Sequence, residues 1–506
     1  MTTPENEEER LRRALGRLMN LEPPRLRRVE PHARRWMLTL AVAAGTLVLT
    51  AGVLTTALEP HRGSTGPSHP GGTVSATASP GGSPGASANP SGAVTPTASP
   101  SAAGVTLTPP PEAPSSWDIV SAPHAPGATD GELNGVACPG ADDCWAVGSW
   151  DGPTLDGFST GSGGGGAGSV TSHTLIEQYS GGGWKVVSSP TPSGSNAVAL
   201  IAVACASAGD CWAVGSNAGA STNFQALTEQ YSGAGWSIAP VPAPAGSDQT
   251  GLQAVTCISA TDCWAVGYSS QGDQQEPGYS EETLVEQYTG SGWKVVSSPN
   301  PPGSTSSQLR AVTCTSAGDC WTVGSSGMAG GNQQPLIEQD AGSGWTIVAS
   351  PNPPDTTDPS ILSGVSCSAA DDCWAVGEYG PSGGGQSLIE HFTGGGWSLV
   401  ASPAPVSASA TWSERLSAVT CVGAGDCWAA GSLTGTANGS SSGDFYTLIE
   451  QETGSGWSAV SSSTPSGSVT SELQSLACTD AGDCWAVGLS SPHATAPSQP
   501  LIEQGP

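Results

Sequence analysis

The chain has 506 residues and a net charge of −29, with 70 Gly, 42 Pro and 14 Cys. Nine of its 14 Lys and Arg lie before Trp36, and residues 115–506 keep four of them against 35 Asp and Glu; so few cations, unclustered, exclude that region as a nucleic-acid binder. Its abundant, even-numbered cysteines place it in an oxidising compartment outside the cytosol.

Residues 1–35 read as a cytosolic tail. Glu8/Arg12 and Glu9/Arg13 stand at i,i+4, and Leu11, Leu15 and Leu18 recur at helical spacing, so a short amphipathic helix is predicted, ended by Pro23 and Pro24. It is either a plain charged tail or a docking helix for a cytosolic partner. Residues 36–58 carry no charge and are long enough to cross a bilayer as a helix. Arg25, Arg27, Arg28, Arg34 and Arg35 precede this span and only Arg62 follows closely, which puts the N-terminus in the cytoplasm and the remainder outside. The rival reading is a cleaved signal peptide with a cleavage site near Thr55, Thr56 and Ala57; the long charged lead and the overlong apolar stretch argue for a single-pass anchor in the cell membrane. Residues 59–114 are nearly all Ser, Thr, Pro, Gly and Ala, a composition that cannot bury a core and is expected to be a disordered linker. As a coil it reaches on the order of 40 Å.

From residue 115 onward one phrase occurs seven times: an apolar segment, Cys, five residues, Cys-Trp, then a β-rich segment. The pairs are Cys138/Cys144, Cys205/Cys211, Cys257/Cys263, Cys314/Cys320, Cys367/Cys373, Cys421/Cys427 and Cys478/Cys484, with no cysteine left over. Turn formers separate the two segments, so each phrase reads as a tight hairpin whose facing positions meet disulfide geometry. Each bridge closes about seven residues and contributes roughly 2 kcal/mol in the chain-entropy account. Cys-x5-Cys without neighbouring histidines fits no zinc or iron–sulfur spacing, so neither metal nor other cofactor is expected.

Each repeat continues with two more strands, as at residues 283–288 and 293–298. Four short strands per 52 to 67 residues make a propeller blade. The Trp opening the fourth strand recurs at Trp184, Trp236, Trp293, Trp345, Trp397 and Trp457, but the chain stops after a third strand at residues 501–504. At the other end, residues 117–123 match residues 184–190 and form a fourth strand with no blade before it. The expected architecture is all-β: a seven-bladed β-propeller over residues 115–506, closed by its N-terminal strand and preceded by a transmembrane helix and a disordered linker.

With these blades the chain resembles the sialidase-type Asp-box superfamily of propellers, although Tyr179-Ser180-Gly181-Gly182-Gly183-Trp184 has the glycines and Trp of an Asp-box without its Asp. The repeated Cys-x5-Cys-Trp phrase is similar to that of exported actinobacterial proteins. The resemblance implies a fold more than a chemistry. Sialidase activity would need an arginine cluster to hold the substrate carboxylate, and residues 115–506 contain only Arg310 and Arg415.

Three further residues recur in every blade: the Asp before the second Cys, the Trp after it, and a third-strand Glu (Glu177, Glu229, Glu286, Glu338, Glu390, Glu450, Glu503). What every blade shares is what every blade needs to fold, so these are read as scaffold rather than as a sevenfold ligand ring. The Asp is expected to bond turn N–H groups, the Trp to fill the inter-blade core with its N–H partnered, and the Glu to meet a backbone or indole donor. Function is expected where the blades differ. The second-to-third and fourth-to-first connections emerge on one variable face, which carries Trp150, Phe158, Tyr268, Tyr279, Tyr379, Trp412, Phe445 and Tyr446 beside Asp151, Asp273, Glu276 and Glu414. These aromatics are the candidate ligand-binding residues, for an envelope carbohydrate or a protein. A structural envelope protein without a discrete ligand is the alternative. No Ser/His/Asp order, phosphate loop or His cluster marks a catalytic site, while a carboxylate pair for glycoside hydrolysis stays open because sequence gives no separations.

Overall fold

The computed structural model describes residues 116–506 except 154–169, 220–222, 273–277, 354–357, 382–384, 404–411, 436–443, 480–482 and 493–495. The cytosolic helix, membrane span and linker expected in residues 1–114 lie outside the described residues, as do Phe158, Asp273 and Glu276. Among the described residues no helix is long and apolar enough to cross a membrane.

Blade 4 shows how the repeat folds. Its strands are Ser306–Ser316, Asp319–Gly327, Gln334–Asp340 and Trp345–Val348, each antiparallel to the next. Cys314 lies directly opposite Cys320, and their Cα atoms are 4.0 Å apart, near the spacing of a non-hydrogen-bonded pair. The first strand also bulges between Leu309 and Ala311. Opposite the bulge stands Gly324, where a Cβ would lie 2.0 Å from the Gln308 carbonyl oxygen. The glycine that closes each Trp-x-x-Gly phrase is therefore there to admit the bulge, a device that re-aims one side chain of the strand.

All seven expected bridges form. Besides Cys314–Cys320 they are Cys138–Cys144, Cys205–Cys211, Cys257–Cys263, Cys367–Cys373, Cys421–Cys427 and Cys478–Cys484, with Cα–Cα distances of 4.0 to 4.1 Å. In two respects they depart from the simple hairpin staple that the spacing suggests. In blade 1 the strand shifts register between Ala137 and Gly140, so Cys138 and Cys144 are bridged without being ladder partners. The two ends of each bridge also differ in surroundings. Cys144, Cys211, Cys263, Cys320, Cys373, Cys427 and Cys484 are all but fully buried, and each belongs to a hydrophobic cluster of the core, whereas their partners are only partly buried. The reason is strand position: the second cysteine lies on a strand covered by a neighbour on either side, as Cys320 is by Cys314 and Asp340. Half of each disulfide is therefore core packing, which spacing alone does not show.

Six further blades repeat the pattern, beginning at Asp130 (blade 1), Ala197 (blade 2), Gln249 (blade 3), Ser360 (blade 5), Trp412 (blade 6) and Thr470 (blade 7). Blade 7 takes its fourth strand from the other end of the described chain: Asp118–Val120 pairs antiparallel with Gln499–Gly505, Ile119 facing Glu503. The first strand of every blade touches the first strands of both neighbours, and the cycle closes from blade 7 to blade 1. The first strands thus surround the axis, and the short fourth strands of three or four residues form the outer edges, brief enough to resist edge pairing.

The core lies between blades rather than within them. One cluster joins Trp264, Val266 and Val285 of blade 3 to Leu309, Val312, Cys320 and Trp345 of blade 4. At its centre the Trp after the second Cys meets the fourth-strand Trp of the next blade edge to face. The pairs are Trp145/Trp236, Trp212/Trp293, Trp264/Trp345, Trp321/Trp397, Trp374/Trp457, Trp428/Trp117 and Trp485/Trp184, with centroids 5.1 to 5.6 Å apart. Each such contact contributes about 0.5–1.5 kcal/mol beyond its area, and the seventh is made by the strand that closes the ring. The indole N–H groups are not partnered as expected: all but that of Trp428 are buried without an acceptor. Each lies in an inter-blade cluster of apolar side chains, which offer no strong acceptor.

Candidate functional site

The residues common to all blades serve the seams. Each third-strand Glu is buried, and burial pushes its carboxyl up to about 8, or about 7 for Glu503. The expected backbone or indole donor is replaced by a serine five residues after the fourth-strand Trp of the preceding blade. Ser298 donates to Glu338 at 2.8 Å, Ser350 to Glu390 at 2.8 Å, Ser462 to Glu503 at 2.8 Å, Ser402 to Glu450 at 3.1 Å and Ser189 to Glu229 at 3.2 Å. Ala122 and Val241 occupy that position in the other two seams, and both oxygens of Glu177 and of Glu286 there have no partner. The turn Asp also departs from expectation. It accepts from the third-strand Gln across the sheet, as in Gln287 to Asp262 at 3.0 Å and Gln339 to Asp319 at 3.3 Å, and in blade 5 it bonds His391 at 2.7 Å. The turn backbone is served by serines instead, such as Ser259, which accepts from the Thr261 N–H.

Antiparallel order within each blade places the disulfide hairpins at one end of the ring and the second-strand ends, with the starts of the first and third strands, at the other. There the blades differ, and six of them supply charges near enough to act on one another at that end of the axis, the channel mouth. Blade 3 supplies Glu281, blade 4 Arg310, blade 5 Glu378, blade 6 Arg415, blade 7 Glu472 and blade 1 Glu132. Arg310 occupies the bulge position of its strand, which in the other blades is Asn134, Ile201, Gln253, Ser363, Ser417 and Gln474.

Burial pushes the Glu281 carboxyl above the usual range; the hydrogen bond from Tyr279 at 2.8 Å, the Arg310 charge and the bond from Ser306 at 3.4 Å pull it back. Here blades 3 and 4 join, through a parallel bridge between Glu281 and Ser306. Burial, and then the neighbouring Glu281, push the Tyr268 hydroxyl up to about 12. Arg415 pairs with Glu472 at 3.9 Å, and Ser149 donates to Glu132 at 3.0 Å. Burial and then the charge of Arg415 lower the pKa of Arg310, against Glu378 and Glu281. The arrangement can bind polar ligands through fixed donors and acceptors beside aromatic rings.

The structure distributes the candidate aromatics around this face. Tyr268 and Tyr279, both partly buried, meet at Glu281. Trp150 is packed in the core, stacked on His173 with centroids 4.3 Å apart, beside a cavity of ≈ 50 Å³ lined also by His124, Asp130 and Ser498. Tyr379 donates to Gln386 within blade 5 at 2.7 Å. Phe445 and Tyr446 are partly buried at the start of a blade 6 strand, Asp444–Glu452, and Trp412 opens the first strand of that blade. Among the described candidate aromatics, Tyr268 and Tyr279 join the channel-mouth charges. In the sequence Arg310 and Arg415 are too few for a sialidase arginine cluster, and Glu281, Glu378, Glu472 and Glu132 belong to no motif. The available signal was position: Glu132, Arg415 and Glu472 each precede the first-strand Leu of their blade, and Arg310 follows it.

No protein-family model matches the chain, and no curated protein matches it. Among solved structures it is similar to a protein of unknown function from Dyadobacter fermentans, with 10% identity and a TM-score of 0.41 over 60% of this chain and 92% of that one. It is also similar to the GH74 xyloglucanase from Xanthomonas campestris, with 14% identity and a TM-score of 0.42 over 76% of this chain and 55% of that one. AofleA from Arthrobotrys oligospora gives 11% identity and a TM-score of 0.36 over 68% of this chain and 89% of that one. Likenesses this distant carry no functional argument, and the closed circuit of first strands alone defines the architecture.

Proposed function

We propose that this propeller is an extracellular binding module, tethered to the cell membrane by residues 36–58 through the linker at residues 59–114, and that its variable face binds envelope carbohydrate. The observation that carries the reading is the corner where Tyr268, Tyr279, Glu281 and Ser306 meet at the channel mouth. Partly buried tyrosines beside a fixed carboxylate and a hydroxyl suit sugars, which bring apolar ring faces and hydroxyls that both donate and accept. The seven disulfides fit an oxidising location, and they stiffen the face opposite the site. The remaining described aromatics, Tyr379, Phe445 and Tyr446, extend this face around blades 5 and 6. Binding residues are often carried by variable loops on such a rigid frame.

A glycan and cell-wall polysaccharide binding screen on residues 115–506 tests the proposal. A neutral glycan is expected to bind, and Tyr268→Ala and Tyr279→Ala are each expected to weaken it by about tenfold, or about 1.4 kcal/mol. Affinity unchanged in both variants would sink this assignment of the site. Turnover of a glycoside, lost when one particular carboxylate is removed, would replace the binding role by an enzymatic one.

A further inference from the structure

Ring closure leaves a cavity of ≈ 50 Å³ at the seam of blades 7 and 1. It lies between the segment that opens blade 1, residues 124–131, and residues 498–500 at the start of the last strand, with Trp150 and Leu175 as further walls. His124, Thr129 and Gln499 are exposed, so the cavity reaches the surface, whereas Asp130 is 8 % exposed and Leu175 is buried. The carboxylate of Asp130 is held from across the seam: it accepts from the Ser498 N–H at 2.9 Å and from the Ser498 hydroxyl, while the Gly131 N–H donates to the Ser498 carbonyl at 3.0 Å. Three residues before the first-strand Leu, where blade 1 has Asp130, the other blades have Ala197, Gln249, Ser306, Pro359, Ser413 and Thr470, so this seam alone carries a carboxylate there.

The two hydroxyls beside that carboxylate have their hydrogens committed. Thr129 donates to the Asp151 carbonyl at 3.0 Å, and Ser498 donates to Asp130. A hydroxyl has one hydrogen and two lone pairs, so toward the cavity both can only accept, as the carboxylate does. No Lys or Arg lines the cavity, and residues 115–506 set 35 acids against four Lys and Arg, a balance that repels anions and attracts cations. Size narrows the choice further. An apolar cavity of about 150 Å³ takes a benzene ring, so one of ≈ 50 Å³ takes about two heavy atoms. A whole sugar ring is too large. A hydroxymethyl group fits but brings a single donor, whereas an ammonium with its adjoining methylene fits and brings three charged ones.

We propose that this cavity binds the ammonium head of a primary alkylamine, with Asp130, Thr129 and Ser498 as its acceptors and the alkyl chain leaving past the exposed rim. The site is independent of the carbohydrate reading, whose Tyr268 and Tyr279 belong to blade 3.

Ligand-observed NMR titration of the full chain near neutral pH with n-butylammonium tests the proposal, with n-butanol as the neutral counterpart and potassium as a plain cation. Butylammonium is expected to bind in the millimolar range, since so small a head supports no more, and about tenfold more tightly than butanol. Asp130→Asn should remove that advantage, because the amide oxygen can still accept from Ser498 while the charge is gone. Ala128→Leu, which fills the cavity from one wall, should weaken butylammonium by about tenfold, and Tyr279→Ala should leave it unchanged whether or not a glycan binds. Should Asp130→Asn fail to fold, Ala128→Leu and the butanol comparison carry the test. Butanol binding as tightly as butylammonium would mark a neutral polar pocket, and displacement by equimolar potassium a plain cation site; either overturns the proposal. So would binding that survives Ala128→Leu, or no binding at all, which would leave the cavity to water.

Discussion

Two kinds of seam hold this ring. Between blades 3 and 4 a serine hydroxyl reaches the buried glutamate, Ser298 to Glu338 at 2.8 Å; between blades 2 and 3 Val241 stands in place of the serine, and both oxygens of Glu286 are unpartnered. The Trp pair is the same in both, with centroids 5.5 Å apart in the first and 5.1 Å in the second. The difference separates what the ring requires from what it tolerates: the indole contact is made at every seam, and the hydrogen bond is dispensable. A carboxyl whose pKa burial raises to about 8 is mostly protonated at neutral pH, so losing its donor strands a neutral group rather than an ion.

Among changes of sequence the largest effect should come from removing an indole contact together with its strand. Deleting residues 115–122 takes away the fully buried Trp117, its edge-to-face contact with Trp428, the bond from the Trp117 N–H to the Ser461 carbonyl at 3.1 Å, and the pairing of Asp118–Val120 with the last strand. Losing a buried Trp alone costs about 3–5 kcal/mol, and the newly exposed edge adds a route to aggregation. Urea unfolding of residues 115–506 with and without the segment checks this. An unchanged midpoint would mean that the strand does not close the ring.

The response to pH acts on both kinds of seam and on all seven glutamates at once. The seven glutamates start from an ordinary value of 4.5 and reach about 7 to about 8 in the folded ring, burial being the main cause. Below about 4.5 both states hold these protons, and the full stability is present. As pH rises from there toward 8 the unfolded chain releases them while the folded ring keeps them, so stability falls, and above 8 the loss is complete. Each tenfold change in one carboxyl's proton affinity is worth about 1.4 kcal/mol. The melting temperature of residues 115–506 should therefore be higher at pH 5 than at pH 8.5. A flat or rising profile over that window would mean that the seam glutamates are ionised in the folded state.

The architecture was legible because the repeat carries its own count. Fourteen cysteines in pairs six residues apart fix seven hairpins, and a spare Trp strand at the start of the array matched by a missing one at its end fixes how the ring closes. The seam chemistry was half legible. Serine at 189, 298, 350, 402 and 462 against Ala122 and Val241 is plain in the sequence, but that this position faces a glutamate of the next blade depends on inter-blade packing, which periodicity does not reveal. The channel mouth was hardest to read, because six blades contribute charged residues that each look like surface filler. Closure brings Glu132 of blade 1 near enough to act on Glu472 of blade 7. Trp150 illustrates the opposite error: an aromatic at a strand end reads as exposed, yet His173 and its neighbours enclose it.

The smallest effect is the sharpest test of the two seams. Ala122→Ser and Val241→Ser would give Glu177 and Glu286 the hydroxyl that the other five glutamates have. A new hydrogen bond to a buried group contributes about 0.5–1.5 kcal/mol, so each variant should be slightly more stable than the parent, and the gain should persist above pH 8 because a hydroxyl donates to an ionised carboxyl as well as to a neutral one. The reverse change, Ser298→Ala, leaves Glu338 unpartnered and should cost about 1–3 kcal/mol at the same pH. Val241 is itself packed into the blade 2–3 core, so Val241→Ser loses apolar burial as it gains the bond and should stabilise less than Ala122→Ser. If Ala122→Ser instead destabilises the ring, or Ser298→Ala is neutral, the serine is a bystander and the Trp pair alone defines the seam.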